Sequence, residues 1–216
     1  MEKLKRKERE YNLRRTEILK EAEKIFASKG FYKATMAEIA EASGFAIGTL
    51  YQFFEGKERL YTSMVSEKLD MMYSEIRKRV SRAESIIEKI AALVKSHFAF
   101  VENNVNFCTL FIRREGTAIS EGDTFLRDKM ITSYLGHINF VEELMQEGTR
   151  AGYLKVMEPR TMAFALLGMI NSFAFDWLVT PQDTHLSGNV GFVLDIFLSG
   201  VKNEGGQERQ GSGFKE

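Results

Sequence analysis

The sequence predicts an all-α fold of about nine helices, with a small three-helix head at the N-terminus and a larger helical body after it. Apolar residues recur at the spacing of one helix face through most of the chain, and no run alternates as a half-buried strand does. The 216 residues contain only two prolines, so long stretches lack helix breakers. With 44% hydrophobic residues the chain can build a sizeable core without disulfide or metal support.

Charge is unevenly distributed, although the chain is neutral overall. The basic side chains are densest in an N-terminal arm over residues 1–14. Such an arm attracts polyanions, because cations that neutralise phosphates release counterions. A solvated, disordered terminus is the alternative that charge alone leaves open. The arm lacks the apolar stretch of a signal peptide, and the single cysteine, Cys108, suits a reducing cytosol.

The first helix of the head is indicated by an apolar stripe that runs from Ile18 to Phe26. Gly30 is expected to end this helix in a left-handed turn, which glycine adopts without steric cost. Phe31 should then fold back on Phe26 and close the helix end with a hydrophobic contact.

Two short helices joined by a tight turn are predicted next, over residues 36–43 and 47–53. Thr35 followed by Glu38 is a capping box, which starts the first of them. Gly44 falls where the turn requires a positive φ angle. This spacing is typical of a helix-turn-helix, whose second helix lies in the major groove of DNA. A plain helical hairpin with a solvated polar face is the alternative.

The outward residues of the second short helix have chemical uses on DNA. Gln52 can pair with adenine through two hydrogen bonds, and Thr49 offers a hydroxyl and a methyl group to thymine. Gly48 has no side chain to hold the backbone off the DNA, and an exposed Ile47 could contact a thymine methyl. Phosphate contacts, through side chains or through the free amides that open helices, are expected at Thr35, Met36, Tyr51 and Lys57.

More than a dozen spaced positions over residues 15–60 form one pattern. They are Ile18-Leu19, Ala22, Phe26, Gly30-Phe31, Thr35-Met36, Ile39-Ala40, Gly44, Gly48-Thr49-Leu50-Tyr51, Phe54, Lys57-Glu58 and Leu60. This pattern closely resembles the N-terminal signature of the TetR (tetracycline-repressor-like) family of transcriptional regulators. The resemblance implies an all-α homodimer, usually of nine helices per chain, that represses transcription until a small ligand binds.

Three residues depart from the family pattern. The family commonly has Ser or Thr where this chain has Ala46. Alanine cannot cap the second short helix, which is the recognition helix in the family. Ile47 stands where a basic or polar residue is common, and Phe53 where Tyr or His is common. The operator sequence is therefore not transferable from relatives.

The body, residues 61–203, is expected to bind the ligand and to dimerise, and the polar, glycine-rich tail over 204–216 to be disordered. A long helix should run from Lys57 to about Arg79. Further helices are predicted at about 84–103, 105–114, 122–151, 158–180 and 187–203.

Two segments, 137–151 and 162–179, look like the long C-terminal helices that pair with their mates as a four-helix bundle in the family. Segment 162–179 is apolar nearly all round, and Asp176 argues that it is buried in protein rather than lipid. The dimer-interface candidates are Phe140, Leu144, Phe164, Leu167, Gly168, Ile170 and Phe175. An ordinary intrachain core is the alternative for each of them.

A ligand pocket is expected among the helices of the body, where aromatic and Met side chains adjoin polar ones. The candidates are His97, Phe98, Phe107, Phe111, Met130, Tyr134, His137, Asn171 and Trp177. Such stripes are also typical of a plain core. Asn171 is a more specific candidate than the apolar residues, because a polar group in an apolar run needs a hydrogen-bond partner when it is buried. The composition favours a hydrophobic or amphipathic ligand, such as an acyl chain, an aromatic compound or a drug-like cation.

No enzymatic activity, cofactor or metal site is expected. The sequence contains no Walker loop, GxGxxG, HExxH or GxSxG motif, and its three histidines are far apart. Two functional classes remain. The first is a cytoplasmic, ligand-responsive repressor, which a small hydrophobic or amphipathic effector releases from a palindromic operator in double-stranded DNA. The second is a dimeric DNA-binding structural or partner-regulated protein without an effector.

Overall fold

A computed structural model describes residues 2–112, 124–180 and 184–203 of the chain. These residues form nine α-helices, joined by turns, and their only β-pairing is an isolated bridge between Leu154 and Lys202. The prediction of an all-α fold is confirmed. The helices are α1 (Glu2–Lys29), α2 (Met36–Ser43), α3 (Ile47–Phe53), α4 (Lys57–Val80), α5 (Ile86–Asn103), α6 (Val105–Ile112), α7 (Thr124–Arg150), α8 (Pro159–Val179) and α9 (Val190–Val201), with a 3₁₀ helix at Leu186–Asn189.

The chain divides into two compact units, and each has its own buried residues. Unit 1 comprises Met1–Ser74 and Phe100–Tyr134, and unit 2 comprises Glu75–Ala99 and Leu135–Glu216. The predicted domain boundary between residues 60 and 61 falls inside unit 1. That boundary and the one after residue 14 stay predictions, and the tail over 204–216 lies outside the described residues.

The core of unit 1 is organised around an aromatic cluster at the end of α1. Gly30 has a φ angle of +80°, and its amide donates to the Phe26 carbonyl at 2.8 Å. The Phe31 ring then stacks on Phe26 with the ring centres 5.8 Å apart, and Tyr61 of α4 meets Phe26 edge-on at 5.1 Å. The predicted left-handed turn and its hydrophobic closure are confirmed.

Helices α2 and α3 form the predicted pair around a tight turn. Gly44 ends α2 with a φ angle of +72°, and the Phe45 amide donates to the Ala40 carbonyl at 3.0 Å. Ile39 and Leu50 are fully buried, and Ala40 is only 3% exposed. A larger side chain at position 40 would have to displace its buried neighbours.

The N-terminal arm is helical. Helix α1 begins at Glu2, and every residue from 5 to 14 is exposed on it. The alternative of a disordered terminus therefore does not hold for this part of the arm. The sequence could not place the start of α1, because the apolar stripe that marks a packed helix only begins at Ile18.

Helix α7 contains two glycines in different environments within unit 2. A Cβ atom at Gly148 would lie 2.6 Å from Leu154 Cδ1 and 3.3 Å from Ile86 Cγ2. At Gly136 the nearest atom would be Arg77 Nη2 at 3.7 Å, an ordinary contact distance. Only Gly148 is therefore required by close packing.

We expect Gly148→Ala to lower the free energy of unfolding by about 1–3 kcal/mol, because the buried Leu154 side chain would have to move. Gly136→Ala is the matched control on the same helix. It should be neutral or stabilising by up to about 1 kcal/mol, since alanine is the better helix former. Urea unfolding of both variants measures the difference, and equal midpoints would contradict the predicted close contact.

Candidate nucleic-acid interface

Helix α3 buries one side and exposes the other. Leu50 is fully buried, whereas Ile47 is 46% and Tyr51 52% exposed. Gln52 and Gly48 are exposed on the same short helix, and a Cβ atom at Gly48 would meet nothing within 4 Å. The structure thus brings these predicted contact residues together on one solvent-facing surface. Thr49 lies beside them and is half-buried. Their contacts with DNA stay predictions.

The start of α3 has no side-chain cap. Ala46 stands at the N-cap position with an extended backbone and makes no capping hydrogen bond. The expectation from sequence that Ala46 cannot cap this helix is confirmed. Because the helix spans only seven residues, packing of Leu50 must supply much of its stability.

At the start of α2 the Thr35 side chain is engaged in the predicted capping box. Its Oγ1 accepts from the Glu38 amide at 3.2 Å, and the Thr35 amide donates to Glu38 Oε2 at 3.1 Å. Lys29 donates to the same carboxylate, and this bond, with those from Thr35, holds the pKa of Glu38 below its ordinary value. The Met36 side chain is buried, so only its backbone amide is available to a phosphate.

Lys57 has a structural role that the sequence did not indicate. Its Nζ donates to the Ala34 carbonyl at 3.0 Å and to the Tyr32 carbonyl at 3.4 Å. It also lies 4.6 Å from the centre of the Phe31 ring. Lys57 therefore ties the start of α4 to the turn between α1 and α2. Replacing it would disturb that turn as well as remove the predicted phosphate contact.

The N-terminal arm of α1 contacts the end of α3. The Tyr11 ring contacts the Phe53 ring with the ring centres 4.6 Å apart and a tilt of 33°. Between α1 and α3 runs an open cleft of about 270 Å³. It is lined by Lys7, Glu10, Tyr11, Arg14, Thr49, Gln52 and Phe53. Sequence reasoning did not include the arm residues in the site. The sequence does contain one sign of this placement. Tyr11 lies seven residues, or about two helical turns, before the buried Ile18 and therefore shares its side of α1.

In unit 2 the structure brings together two of the predicted ligand-binding residues, His97 of α5 and His137 of α7. Both are buried, and their Nε2 atoms are 2.9 Å apart. His97 Nδ1 lies 2.8 Å from the Leu93 carbonyl and must donate to it. His97 Nε2 is therefore the acceptor, and His137 Nε2–H is the donor. No third His, Cys, Asp or Glu joins a metal-binding group among the residues the structure describes.

Burial keeps both imidazoles neutral. It lowers the pKa of His97 from 6.5 to about 4, although the bond to Leu93 opposes the shift. It also lowers the pKa of His137 to about 3, where nearby His97 and Arg77 add to the effect. Protonation of His97 would remove the acceptor nitrogen of the pair. Protonation of His137 would place a second positive charge near the Arg77 guanidinium. The pair is therefore a neutral element of the fold near pH 7.

We expect the free energy of unfolding to fall as the pH drops below about 6.5, because unfolded histidines bind protons that the folded pair excludes. The stabilisation is complete above this pH and is lost progressively towards pH 4 and below. Each histidine contributes at most about 1.4 kcal/mol per pH unit to the slope of the free energy of unfolding against pH. Denaturant unfolding from pH 7.5 to 5 measures the slope.

The exposed His185 provides the matched control for this prediction. His185→Gln should keep the slope of the wild-type protein, whereas His97→Gln with His137→Gln should flatten it. In the folded wild type, the imidazoles of His97 and His137 should show no NMR titration above pH 5. Titration of either one above pH 5 would contradict a neutral buried pair.

The other ligand candidates are distributed over both units. Asn171 is exposed, which removes the argument that a buried amide needs a partner. Trp177 is half-buried, and its Nε1 donates to the Thr184 carbonyl at 2.9 Å. The side chain of Phe111 lies outside the described residues. Buried Phe98 belongs to unit 2, whereas buried Phe107, half-buried Met130 and exposed Tyr134 belong to unit 1.

The interface candidates separate into buried and exposed residues. Leu144, Leu167 and Ile170 are buried within unit 2, so their side chains pack against their own chain. Phe140 is half-buried, 5.4 Å from the Arg77 guanidinium. The exposed candidates all lie on α8.

Apolar side chains are exposed on two neighbouring helices, α8 and α9. Phe164 and Phe175 of α8 are 45% and 56% exposed, and Gly168 between them is open. Phe192 and Ile196 of α9, which sequence reasoning missed, are 57% and 49% exposed. Helix α9 thus exposes apolar side chains next to those of α8. The pairing of segment 137–151 with a second copy stays a prediction.

Helix α8 is long and apolar enough to cross a membrane by length and composition alone. A third of its apolar window is buried inside unit 2, and its exposed side carries Asn171, Ser172 and Asp176. Polar groups on the exposed side fit a helix that meets protein and water better than one surrounded by lipid.

Two family models match consecutive parts of the chain. The model described as "Bacterial regulatory proteins, tetR family" matches residues 18–64. The model described as "YsiA-like protein, C-terminal region" matches residues 65–200. The boundary between the two models falls inside α4 and close to the predicted end of the head.

Curated relatives are regulators of transcription or metabolism. The fatty acid metabolism regulator protein of Bacillus subtilis strain 168 is 23% identical over 189 residues, which cover 87% of this chain and 95% of that protein. The HTH-type transcriptional repressor KstR2 of Mycolicibacterium smegmatis is 30% identical over 90 residues, 42% of this chain and 44% of the relative.

Solved structures share the fold. The fatty acid degradation regulator FadR from Bacillus halodurans matches with a TM-score of 0.73 and 25% identity, over 86% of this chain and 98% of its own. The regulator FadR from Bacillus subtilis, solved in complex with stearoyl-CoA, matches with a TM-score of 0.72 and 22% identity over the same shares of the two chains.

Proposed function

Because this chain belongs to the tetR family of bacterial regulatory proteins, and is thus a DNA-binding transcriptional regulator, we propose that it is a homodimeric repressor released from its operator by a long-chain acyl thioester. The observation that carries the DNA-binding part is the exposed face of α3 on a buried Leu50 anchor. The acyl thioester is supported by the relatives, because a Bacillus subtilis relative is named as a fatty acid metabolism regulator and FadR of Bacillus subtilis was solved in complex with stearoyl-CoA.

In this proposal α3 is the recognition helix. Gln52 reads adenine and Thr49 contacts thymine, while Tyr51 binds a phosphate at the edge of the groove. Ile47 adds an apolar contact in place of the polar residue that is common in the family. Gly48 leaves the backbone free to approach the DNA.

The exposed apolar residues of α8 and α9 would meet the same residues of a second copy. A twofold axis makes such a surface self-complementary, and exposed apolar patches of this kind mark interaction sites. Two recognition helices about one turn of DNA apart would then read a palindrome. We place this dimer in the cytoplasm, in keeping with a regulator of transcription.

The effector is tested on the site that the protein itself selects from random duplex DNA. Stearoyl-CoA should weaken binding to that site by roughly 5- to 150-fold, the usual range of such coupling. Two controls should leave binding unchanged. Free coenzyme A lacks the acyl chain, and a ketosteroid is apolar but carries no acyl thioester. If a palindrome is enriched but stearoyl-CoA does not release it, the acyl thioester is the wrong effector. If no site is enriched, the specific repressor itself is wrong.

A further inference from the structure

The N-terminal part of α1 is an exposed, strongly basic helix. Residues 3–15 contain seven Lys or Arg and only two Glu. Residues 5–14 are all exposed, so no core packing holds this part of the helix in place. A helix segment without core packing needs a partner or a local contact to be held in one position.

Tyr11 supplies the anchor. Its ring lies 4.6 Å from that of Phe53, the last residue of α3. Lys7 and Arg14 lie four residues before and three residues after Tyr11, and therefore share its side of the helix. Both line the cleft that also contains Thr49 and Gln52. The cations thus stand directly beside the residues proposed to read bases.

We propose that this side of α1 binds the phosphates along the edge of the groove that α3 enters, so that the head contacts DNA with two helices. The inference rests on the proposed placement of α3 in the major groove. A groove is bordered by phosphates, so cations beside a base-reading helix meet negative charge. Arg14 forms an ion pair with exposed Glu10, which a phosphate would replace as the acceptor.

Duplex DNA is the occupant that the charge and the position favour. The surface is basic and open, and its Lys7 and Arg14 line the same cleft as Thr49 and Gln52 of α3. Phosphate contacts of this kind add affinity and salt dependence but no base preference. Lys7 and Arg14 should therefore strengthen binding to all sequences equally, and Tyr11 should act as the residue that positions them.

The test compares two double variants that remove the same charge from opposite sides of the arm. Lys7→Gln with Arg14→Gln removes four cations from a dimer. It should therefore weaken operator binding roughly tenfold and lower the slope of log Kd against log salt by about 3–4. Lys5→Gln with Arg9→Gln, on the side away from Tyr11, should lower that slope by less than about 1. Equal slopes for the two double variants would overturn the inference.

Tyr11 variants test the anchor separately. Tyr11→Phe keeps the ring and should bind as the wild type does, whereas Tyr11→Ala should lose most of the arm's salt dependence. Wild-type binding by Tyr11→Ala would overturn the positioning role. Gln52→Ala in the same assay distinguishes the two proposals, because it should change base preference and leave the slope nearly unchanged. Unaltered base preference in Gln52→Ala would contradict the placement of α3 itself.

Discussion

Gly48→Glu is expected to leave the protein folded and to weaken operator binding by at least roughly 100-fold, because a carboxylate facing phosphates costs several kcal/mol. The site tolerates the side chain, since a Cβ atom there meets nothing within 4 Å. Glutamate is a better helix former than glycine and is favoured in the first turn of a helix. Thermal stability should therefore stay equal or rise slightly while DNA binding is lost.

The control for this variant is Gly188→Glu, which adds the same charge at an open glycine of unit 2. It should bind the operator as the wild type does. Fluorescence anisotropy at one fixed salt concentration, paired with a melting curve, measures both variants. Wild-type binding by Gly48→Glu would mean that α3 does not approach the DNA backbone, and the proposed interface would then have to be abandoned.

Phe175→Glu is expected to convert the dimer into monomers, with a dimer dissociation constant raised by at least roughly 1000-fold. Phe175 is 56% exposed in the single chain, so the substitution should not disturb the fold. In a twofold dimer both copies would bring an unpaired carboxylate into an apolar contact. Binding to a palindromic site should fall as well, since one recognition helix alone makes half of the contacts.

Phe125→Glu is the matched control for the dimer. Phe125 is 59% exposed but belongs to unit 1, at the start of α7. It should leave the mass measured by light scattering unchanged. A Phe175→Glu protein that stays dimeric would show that α8 does not form the interface. The exposed residues of α9, such as Phe192, would be examined next by the same measurement.

The parts of the fold that the sequence predicted well are governed by neighbours a few residues apart. The capping pair Thr35 and Glu38, and the positive φ angles at Gly30 and Gly44, follow from local backbone chemistry. The start of α1 was not predictable in this way, because an exposed helix carries no apolar stripe. The contact that joins this part of α1 to α3 connects Tyr11 and Phe53, which are 42 residues apart in the chain.

The sequence was less informative about which residues share a site in the body. His97 and His137 pair through tertiary packing between α5 and α7, and no spacing rule relates residues so far apart. In an apolar helix such as α8, periodicity also does not show which side faces the chain's own core. Leu167 is buried and Phe164 is exposed three residues away, a difference that only the packed neighbours decide.

The missing cap at Ala46 has a thermodynamic consequence for recognition. A helix of seven residues without a capping side chain unravels more readily than its neighbours, and its opening costs less than global unfolding. We therefore expect α3 to be fully formed in only a fraction of the free protein. The affinity for the proposed operator would be reduced by that fraction, and the ordering of α3 would contribute to the entropy and heat capacity of association.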